Sequence, residues 1–196
     1  MTYAIITGCS HTAGVGVDSK DCYVSVLENH YKFPIKNWAI PGGCSVDVLM
    51  KIVVAVKELT KPTFVVAQWP NVFRKSLWIN NDRYRQNIHS CEESFRLLLK
   101  HGQKNFYEPW MHSIMIANLL CHLADIPLIN IMLETLDHSY MDQLRVENIE
   151  LHIDEKIPGR TWFFDSKASD NLHHSAWCHR KWAERLIGII DEHTTR

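Results

Sequence analysis

Three side chains near the two ends of the sequence could together activate a hydroxyl group. Ser10 follows the apolar run YAIIT by three residues, in the stretch ITGCSHTAG (residues 6–14), and Asp170 precedes His173 by three residues in DNLHHS (170–175). A carboxylate at this spacing can accept a hydrogen bond from one imidazole nitrogen while the other nitrogen removes the serine proton. The combination predicts nucleophilic attack on a carbonyl carbon. Taken singly, the Ser10 stretch is more typical of a plain turn, and Asp170 and His173 are also typical of a helix start and its exposed surface.

The elements that must position these residues alternate along the chain. Four runs are apolar on both faces, as is typical of central strands in a parallel sheet, and helical patterns separate them. The predicted strands are 3–7, 37–40, 63–68 and 128–133, and the predicted helices are 21–31, 45–59 with Ser45 as its cap, 91–100, 108–124 and 175–191. This alternation predicts one domain over residues 1–196, an α/β fold in which a central parallel sheet forms a three-layer α/β/α sandwich. Ligands bind beyond the carboxyl ends of such strands, where Ser10 is expected.

Two stretches, 70–90 and 134–172, fit the alternation badly and are predicted to be loops that carry binding residues. Aromatic and polar side chains alternate in and around the first of them. Such a surface suits sugar rings and hydroxyls, although tryptophans are equally typical of a core. The residues concerned are Trp69, Trp78, Asn80, Asn81, Arg83, Tyr84, Arg85, Trp110 and Trp162.

The order of the motifs resembles that of the SGNH hydrolases, also called GDSL-type esterases and lipases. Gly8-Cys9-Ser10 takes the place of the family's Gly-Asp-Ser block, so the resemblance makes Ser10 the nucleophile. NWAIPG (37–42) is similar to the second block and makes the Gly42 N–H an oxyanion donor, with Gly43 as the alternative. DNLHHS is similar to the last block and carries over Asp170 and His173, with His174 as a competing base.

The chain departs from the family pattern in three blocks, and in the last of them His174 and Cys178 stand where proline and glycine are usual. The third block, Gly-x-Asn-Asp, corresponds to QWPN (68–71), which makes the Asn71 amide an oxyanion donor but puts Pro70 and Val72 where the family has other residues. Cys9 replaces the aspartate of the first block. A thiol is a poor acceptor, so the turn around Ser10 must be held by another group. Cys9 is also an alternative nucleophile, but it stands one position away from the residue that carries the attack.

The resemblance implies a serine esterase that hydrolyses carboxylic esters through an acyl-enzyme. His173 removes the proton of Ser10 and Asp170 stabilises the imidazolium, while the Ser10 N–H, Gly42 and Asn71 hold the oxyanion. Neither a cofactor nor a metal takes part, and the expected partner is a small ester such as an acetylated carbohydrate. Two other classes remain open: a binding protein that keeps the SGNH fold without turnover, and a flavodoxin-like binder of a nucleotide or phosphate, which needs neither Asp170 nor His173.

The composition of the chain argues against several kinds of partner and against a metal site. Lys and Arg number 21 and Asp and Glu number 22, for a net charge of −1, so nucleic acid and membrane surfaces are poor partners. The sequence shows no signal-peptide pattern and no 18-residue apolar window, which predicts a cytoplasmic protein. The 6 cysteines are expected to be mostly free thiols, and the 12 histidines match no zinc-site spacing. No pattern indicates an oligomeric state.

Overall fold

A parallel sheet forms the centre of the molecule. The computed structural model describes residues 2–58, 60–70, 72, 74–79, 82–87, 104–132, 151–153, 168–170 and 173–194. Within these ranges the sheet has five strands, in the order β2-β1-β3-β6-β7. They are β1 (Ala4–Thr7), β2 (Ile35–Asn37), β3 (Val65–Trp69), β6 (Leu128–Met132) and β7 (Leu151–Ile153). Every neighbouring pair is parallel, so all five carboxyl ends lie at one edge.

Helices connect the strands. They are α1 (Ser10–Ala13), α2 (Tyr23–Tyr31), α3 (Ser45–Lys57), α4 (Lys104–Leu123) and α5 (Ala176–Thr194). A 3-10 turn (Ser19–Asp21) precedes α2. None of the helices in the described ranges is both long enough and apolar enough to cross a bilayer.

The strands bury side chains on both faces, and this produces three layers. In β3, Val65, Ala67 and Trp69 pack in a core cluster with α3 and α4, whereas Val66 packs in a second cluster with α2 and α5. Alternate strand residues point to opposite faces, so a run that is apolar at every position requires helices on both sides. The predicted three-layer α/β/α sandwich is confirmed.

Several predicted boundaries were wrong. The strand expected at 37–40 is β2, which ends at Asn37, because the Asn37 side-chain oxygen accepts the Ala39 N–H at 3.1 Å and turns the chain. The N-cap residue of α3 is Cys44, and not Ser45 as the sequence had predicted. The Cys44 N–H donates to the Asp47 carboxylate at 2.9 Å.

The two predicted loops contain strands. An antiparallel hairpin, β4 (Arg74–Ile79) with β5 (Asp82–Asn87), occupies much of 70–90. Its pairing satisfies backbone groups in a segment whose polar composition had suggested irregular structure. β7 likewise falls within 134–172, and the helix expected at 91–100 lies outside the described residues.

Candidate active site

Ser10 lies at the carboxyl edge of the sheet, where the chain leaves β1 and begins α1. Ser10 is 6% exposed to solvent. Gly8 makes the tight approach possible, since a Cβ at this position would come within 2.8 Å of the Gln68 Cβ. α1 ends after a single turn at Gly14, whose φ of 75° suits glycine. The short strand–turn–helix connection therefore holds the Ser10 hydroxyl at the edge where ligands bind.

Gln68, near the end of β3, holds this turn. Its Oε1 accepts the Cys9 N–H at 3.0 Å and the Thr12 hydroxyl at 3.1 Å, and its Nε2 donates to the Trp69 carbonyl at 2.9 Å. Tyr23 completes the network by donating its hydroxyl to the Thr12 Oγ1 at 2.9 Å. Gln68 is 2% exposed and stands on the neighbouring strand, so it supplies the acceptor that Cys9 lacks. Sequence reasoning missed this residue, although a polar residue ending an apolar strand is a recognisable signal.

The loop after β2 is attached to the same turn. Trp38 N–H donates to the Ile6 carbonyl at 2.8 Å, and Ile40 N–H donates to the Gly8 carbonyl at 3.0 Å. A turn follows in which Gly42 has a φ of 71° and the Gly43 N–H donates to the Ile40 carbonyl at 2.8 Å. Because the Gly43 N–H closes this turn, the geometry favours Gly42 over Gly43 as a donor to a ligand.

Asp170 and His173 form a close pair. One carboxylate oxygen of Asp170 lies 2.5 Å from His173 Nδ1, and the other accepts the His173 backbone N–H at 3.0 Å. An ionised carboxylate only accepts hydrogen bonds, so this contact fits the tautomer of His173 with the hydrogen on Nδ1 and the lone pair on Nε2. The Ala168 N–H donates to the His173 carbonyl at 2.8 Å and closes the loop. Asp170 thus orients His173, and His174, the competing histidine, is turned into the interior at 6% exposure.

The loop after α1 brings the two ends of the chain together. The Gly16 carbonyl accepts the Ser169 hydroxyl at 3.1 Å, and a Cβ on Gly16 would come within 3.0 Å of the Asp170 Oδ2. His11, the residue after Ser10, lies with its ring centroid 5.1 Å from that of His173 in an edge-on contact. Ser10, Asp170 and His173 are therefore parts of one locality, although about 160 residues separate them along the chain.

A cluster of neutral histidines underlies the His173 ring. The His11 ring centroid lies 4.5 Å from that of His174, and the Nδ1 of His179 accepts the Tyr23 N–H at 3.3 Å. Burial lowers the pKa of His11 to about 2, with further lowering by His174, His173, Arg74 and His179. Burial is also the main cause that lowers the pKa of His174 and of His179 to about 4. The three histidines are neutral at pH 7, so His173 meets uncharged rings on this side.

A small cavity of about 10 Å³ lies within this cluster. It is lined by His11, Tyr23, Gln68, Ile131, His174, His179 and Trp182. The volume is that of a single water molecule, and no group of three or more His, Cys, Asp or Glu in the described ranges is arranged to hold a metal ion.

The other residues predicted from the sequence are the third oxyanion donor and the members of a sugar-binding surface. Asn71, proposed as the third oxyanion donor, lies outside the described residues. Trp69 and Trp110, proposed as part of a sugar-binding surface, are 1% and 2% exposed and pack against each other in the core, so that prediction was wrong for them. Trp162, Asn80 and Asn81 lie outside the described residues.

Comparison with known proteins gives structural matches only. No family model and no curated protein matches the sequence. The psychrotrophic esterase EstA from Pseudoalteromonas sp. is similar at a TM-score of 0.63 and 13% identity, with 100% of both chains covered. A lipolytic protein of the G-D-S-L family from Veillonella parvula is similar at a TM-score of 0.56 and 16% identity, covering 96% of this chain and 98% of that one.

A third match is an acetyl xylan esterase, Est2A, from the rumen bacterium Butyrivibrio proteoclasticus. Its TM-score is 0.60 at 9% identity, with 98% of this chain and 64% of that chain covered. The structural resemblance extends over nearly the whole chain and agrees with the order of the four sequence motifs. The chain has the fold of the SGNH hydrolases, the GDSL-type esterases and lipolytic proteins.

Proposed function

We propose that the protein is a serine esterase that hydrolyses carboxylic esters through an acyl-enzyme. The observation that carries this proposal is the Asp170–His173 pair, seated against the loop that follows Ser10. Asp170 fixes the tautomer in which His173 Nε2 can remove the Ser10 proton. The histidine can then return that proton to the leaving alcohol, and water attacks the acyl-enzyme in a second step.

The oxyanion is held by N–H groups in this proposal. Gly42 is the donor from the loop that Ile40 attaches to Gly8, and the Ser10 N–H is the donor from the start of α1. Asn71 is kept as a third donor on the strength of the sequence resemblance. Donors that are fixed before the reaction stabilise the developing charge, and loss of one typically lowers kcat by about 10²- to 10³-fold.

The substrate is proposed to be a small polar ester, in particular an O-acetyl ester of a carbohydrate. Support comes from two structural neighbours, a carbohydrate esterase with a TM-score of 0.59 and the acetyl xylan esterase. The site needs neither a cofactor nor a metal for this chemistry, because the serine, the base and the oxyanion donors are all supplied by the chain.

A fluorophosphonate probe tests the nucleophile. The similar esterase EstA was solved inhibited by monoethylphosphonate, so a phosphorus ester is a suitable reagent for this fold. We expect labelling at Ser10, identified by mass spectrometry, which disappears in Ser10→Ala and His173→Ala. Cys9→Ala serves as the matched control, since it removes the neighbouring nucleophile and should leave labelling in place.

Each negative result has a defined meaning. Labelling that persists in Ser10→Ala but disappears in Cys9→Ala would transfer the attack to Cys9. If the folded wild-type protein is not labelled at all, the esterase proposal is wrong, and the fold serves binding without turnover. If Ser10 is labelled, hydrolysis assays follow. Comparing acetylated xylo-oligosaccharides with simple acetyl esters as substrates distinguishes carbohydrate deacetylation from general esterase activity.

A further inference from the structure

Asp170 holds His173 at one side of its ring. A carboxylate oxygen contacts Nδ1 at 2.5 Å, and the second contact of Asp170, at 3.0 Å, is with the His173 backbone N–H. A ring attached through Nδ1 can swing about this contact, and the swing moves Nε2, the nitrogen that must face the Ser10 hydroxyl. A shift of about 1 Å in such a group can cost about 10²-fold in rate, so the ring requires a second support.

The His11 ring lies against the His173 ring. The two ring centroids are 5.1 Å apart and the ring planes are inclined by 64°, which is an edge-on contact. Aromatic rings favour this arrangement at centroid separations of about 4.5–7 Å, so the contact is attractive and depends on the angle between the rings. His11 directly follows Ser10 in α1. The ring that supports the base is therefore carried by the same helical turn as the nucleophile.

His11 is itself packed on its other side. Its ring makes a second edge-on contact with His174, with the centroids 4.5 Å apart, and His174 is 6% exposed. The His11 Nδ1 is buried, and the ring lines the small cavity together with Gln68 and Tyr23. Because protein interiors are close-packed, a side chain held in this way keeps one rotamer. His11 thus presents a fixed surface to His173.

The charge state of His11 suits the support of a base. Burial is the main cause that lowers its pKa to about 2. His11 is therefore neutral at pH 7, and it stays neutral when His173 takes up the serine proton. A neutral ring tolerates the imidazolium, whereas a second cation at this distance would repel it.

We propose that His11 is a positioning residue, whose ring fixes the orientation of the His173 imidazole relative to the Ser10 hydroxyl. The proposal rests on the proposed esterase function and assigns a further residue to the same site. His11 transfers no proton in this role. It acts through the contact between the two rings, which ties the base to the turn that carries the nucleophile.

Two substitutions of His11 separate a ring contact from simple filling of space. His11→Leu fills a similar volume without a flat ring, and His11→Phe keeps a flat ring. His30→Leu is the matched control, because His30 is an exposed histidine near the end of α2. Hydrolysis of 4-nitrophenyl acetate gives kcat and KM for each variant, and thermal unfolding gives its melting temperature.

We expect His11→Leu to lower kcat about ten- to hundredfold, because a displaced base removes the serine proton poorly. KM should stay within about twofold of the wild-type value, since the orientation of His173 matters to the transition state and not to substrate binding. His11→Phe should recover most of kcat, and His30→Leu should keep all of it. A purely structural role of His11 predicts instead equal losses in His11→Leu and His11→Phe, together with lower melting temperatures.

Proton NMR reports on the His173 ring without any substrate. The hydrogen between His173 Nδ1 and Asp170 should give a low-field resonance, because the contact is short and charge-assisted, and Asp170→Ala identifies the resonance by its loss. We expect the resonance to broaden or to move upfield in His11→Leu, since the ring is then free to swing. It should persist in His11→Phe and in His30→Leu.

The outcomes separate this proposal from the function on which it rests. A wild-type kcat in His11→Leu, or a resonance that His11→Leu leaves unchanged, in a protein that is labelled at Ser10, overturns the positioning role and leaves the esterase standing. Absence of both hydrolysis and labelling overturns both proposals. If His11→Leu is insoluble, His11→Gln is measured in its place, since it also lacks the ring but keeps a polar side chain.

Discussion

The buried histidine cluster predicts that mild acid destabilises the folded protein. His11, His174 and His179 are neutral when folded, with their pKa values lowered to about 2, 4 and 4, whereas in the unfolded chain each takes up a proton near pH 6.5. Below pH 6.5 the unfolded state therefore binds more protons than the folded state. Because the unfolded state takes up the extra protons, we expect the free energy of unfolding to decrease as pH falls from 6.5 towards 4.

The magnitude follows from the same values. At pH 5.5, one unit below the unfolded pKa, each buried histidine favours the unfolded state by roughly 1 kcal/mol, so the three together favour it by a few kcal/mol. At pH 7.5 the effect is close to zero. A loss of this size is a large part of the roughly 5–15 kcal/mol that holds a domain folded.

Urea unfolding at pH 7.5 and 5.5 measures this loss directly. His179→Asn is the informative variant, because the Asn oxygen can replace Nδ1 as acceptor of the Tyr23 N–H while the titrating ring is removed. We expect the difference in unfolding free energy between the two pH values to shrink by roughly 1 kcal/mol in this variant. A wild-type difference below about 1 kcal/mol, or an equal difference in the variant, would refute the reasoning from buried neutral rings.

Two further predictions concern the residues that support the site. Gln68→Leu removes the acceptor of two buried donors, the Cys9 N–H and the Thr12 hydroxyl. Urea unfolding should therefore show a free energy of unfolding that is lower by about 2–4 kcal/mol. A decrease below about 1 kcal/mol would contradict the role assigned to Gln68. Gly16→Ala forces a side chain at a φ of 88° to within 2.7 Å of the Ala168 Cβ and 3.0 Å of the Asp170 carboxylate. Ester hydrolysis should then show a kcat about tenfold lower or more, because Asp170 no longer orients His173 correctly. Gly188→Ala in α5 is the control for this variant, because a Cβ added at Gly188 meets nothing within 4 Å. We expect it to keep full activity. Equal losses of kcat in both variants would argue against a specific effect on Asp170.

The sequence alone determined the type of fold and the contact between Asp170 and His173. Runs that are apolar at every position require a sheet covered on both faces, and this pattern is a local property that can be counted along the chain. The Asp170–His173 pair was predictable for the same reason, since three residues of spacing are enough to bring the carboxylate to the ring. The resemblance to SGNH hydrolases rested on the order of such local motifs.

The tertiary structure decided the contacts between segments that are distant in sequence. Gln68 reaches the Ser10 turn only because β3 pairs with β1, and the burial of the His174 ring depends on how the core packs around it. Such contacts depend on strand order and on the packing of helices over the sheet, which no spacing between neighbouring residues encodes.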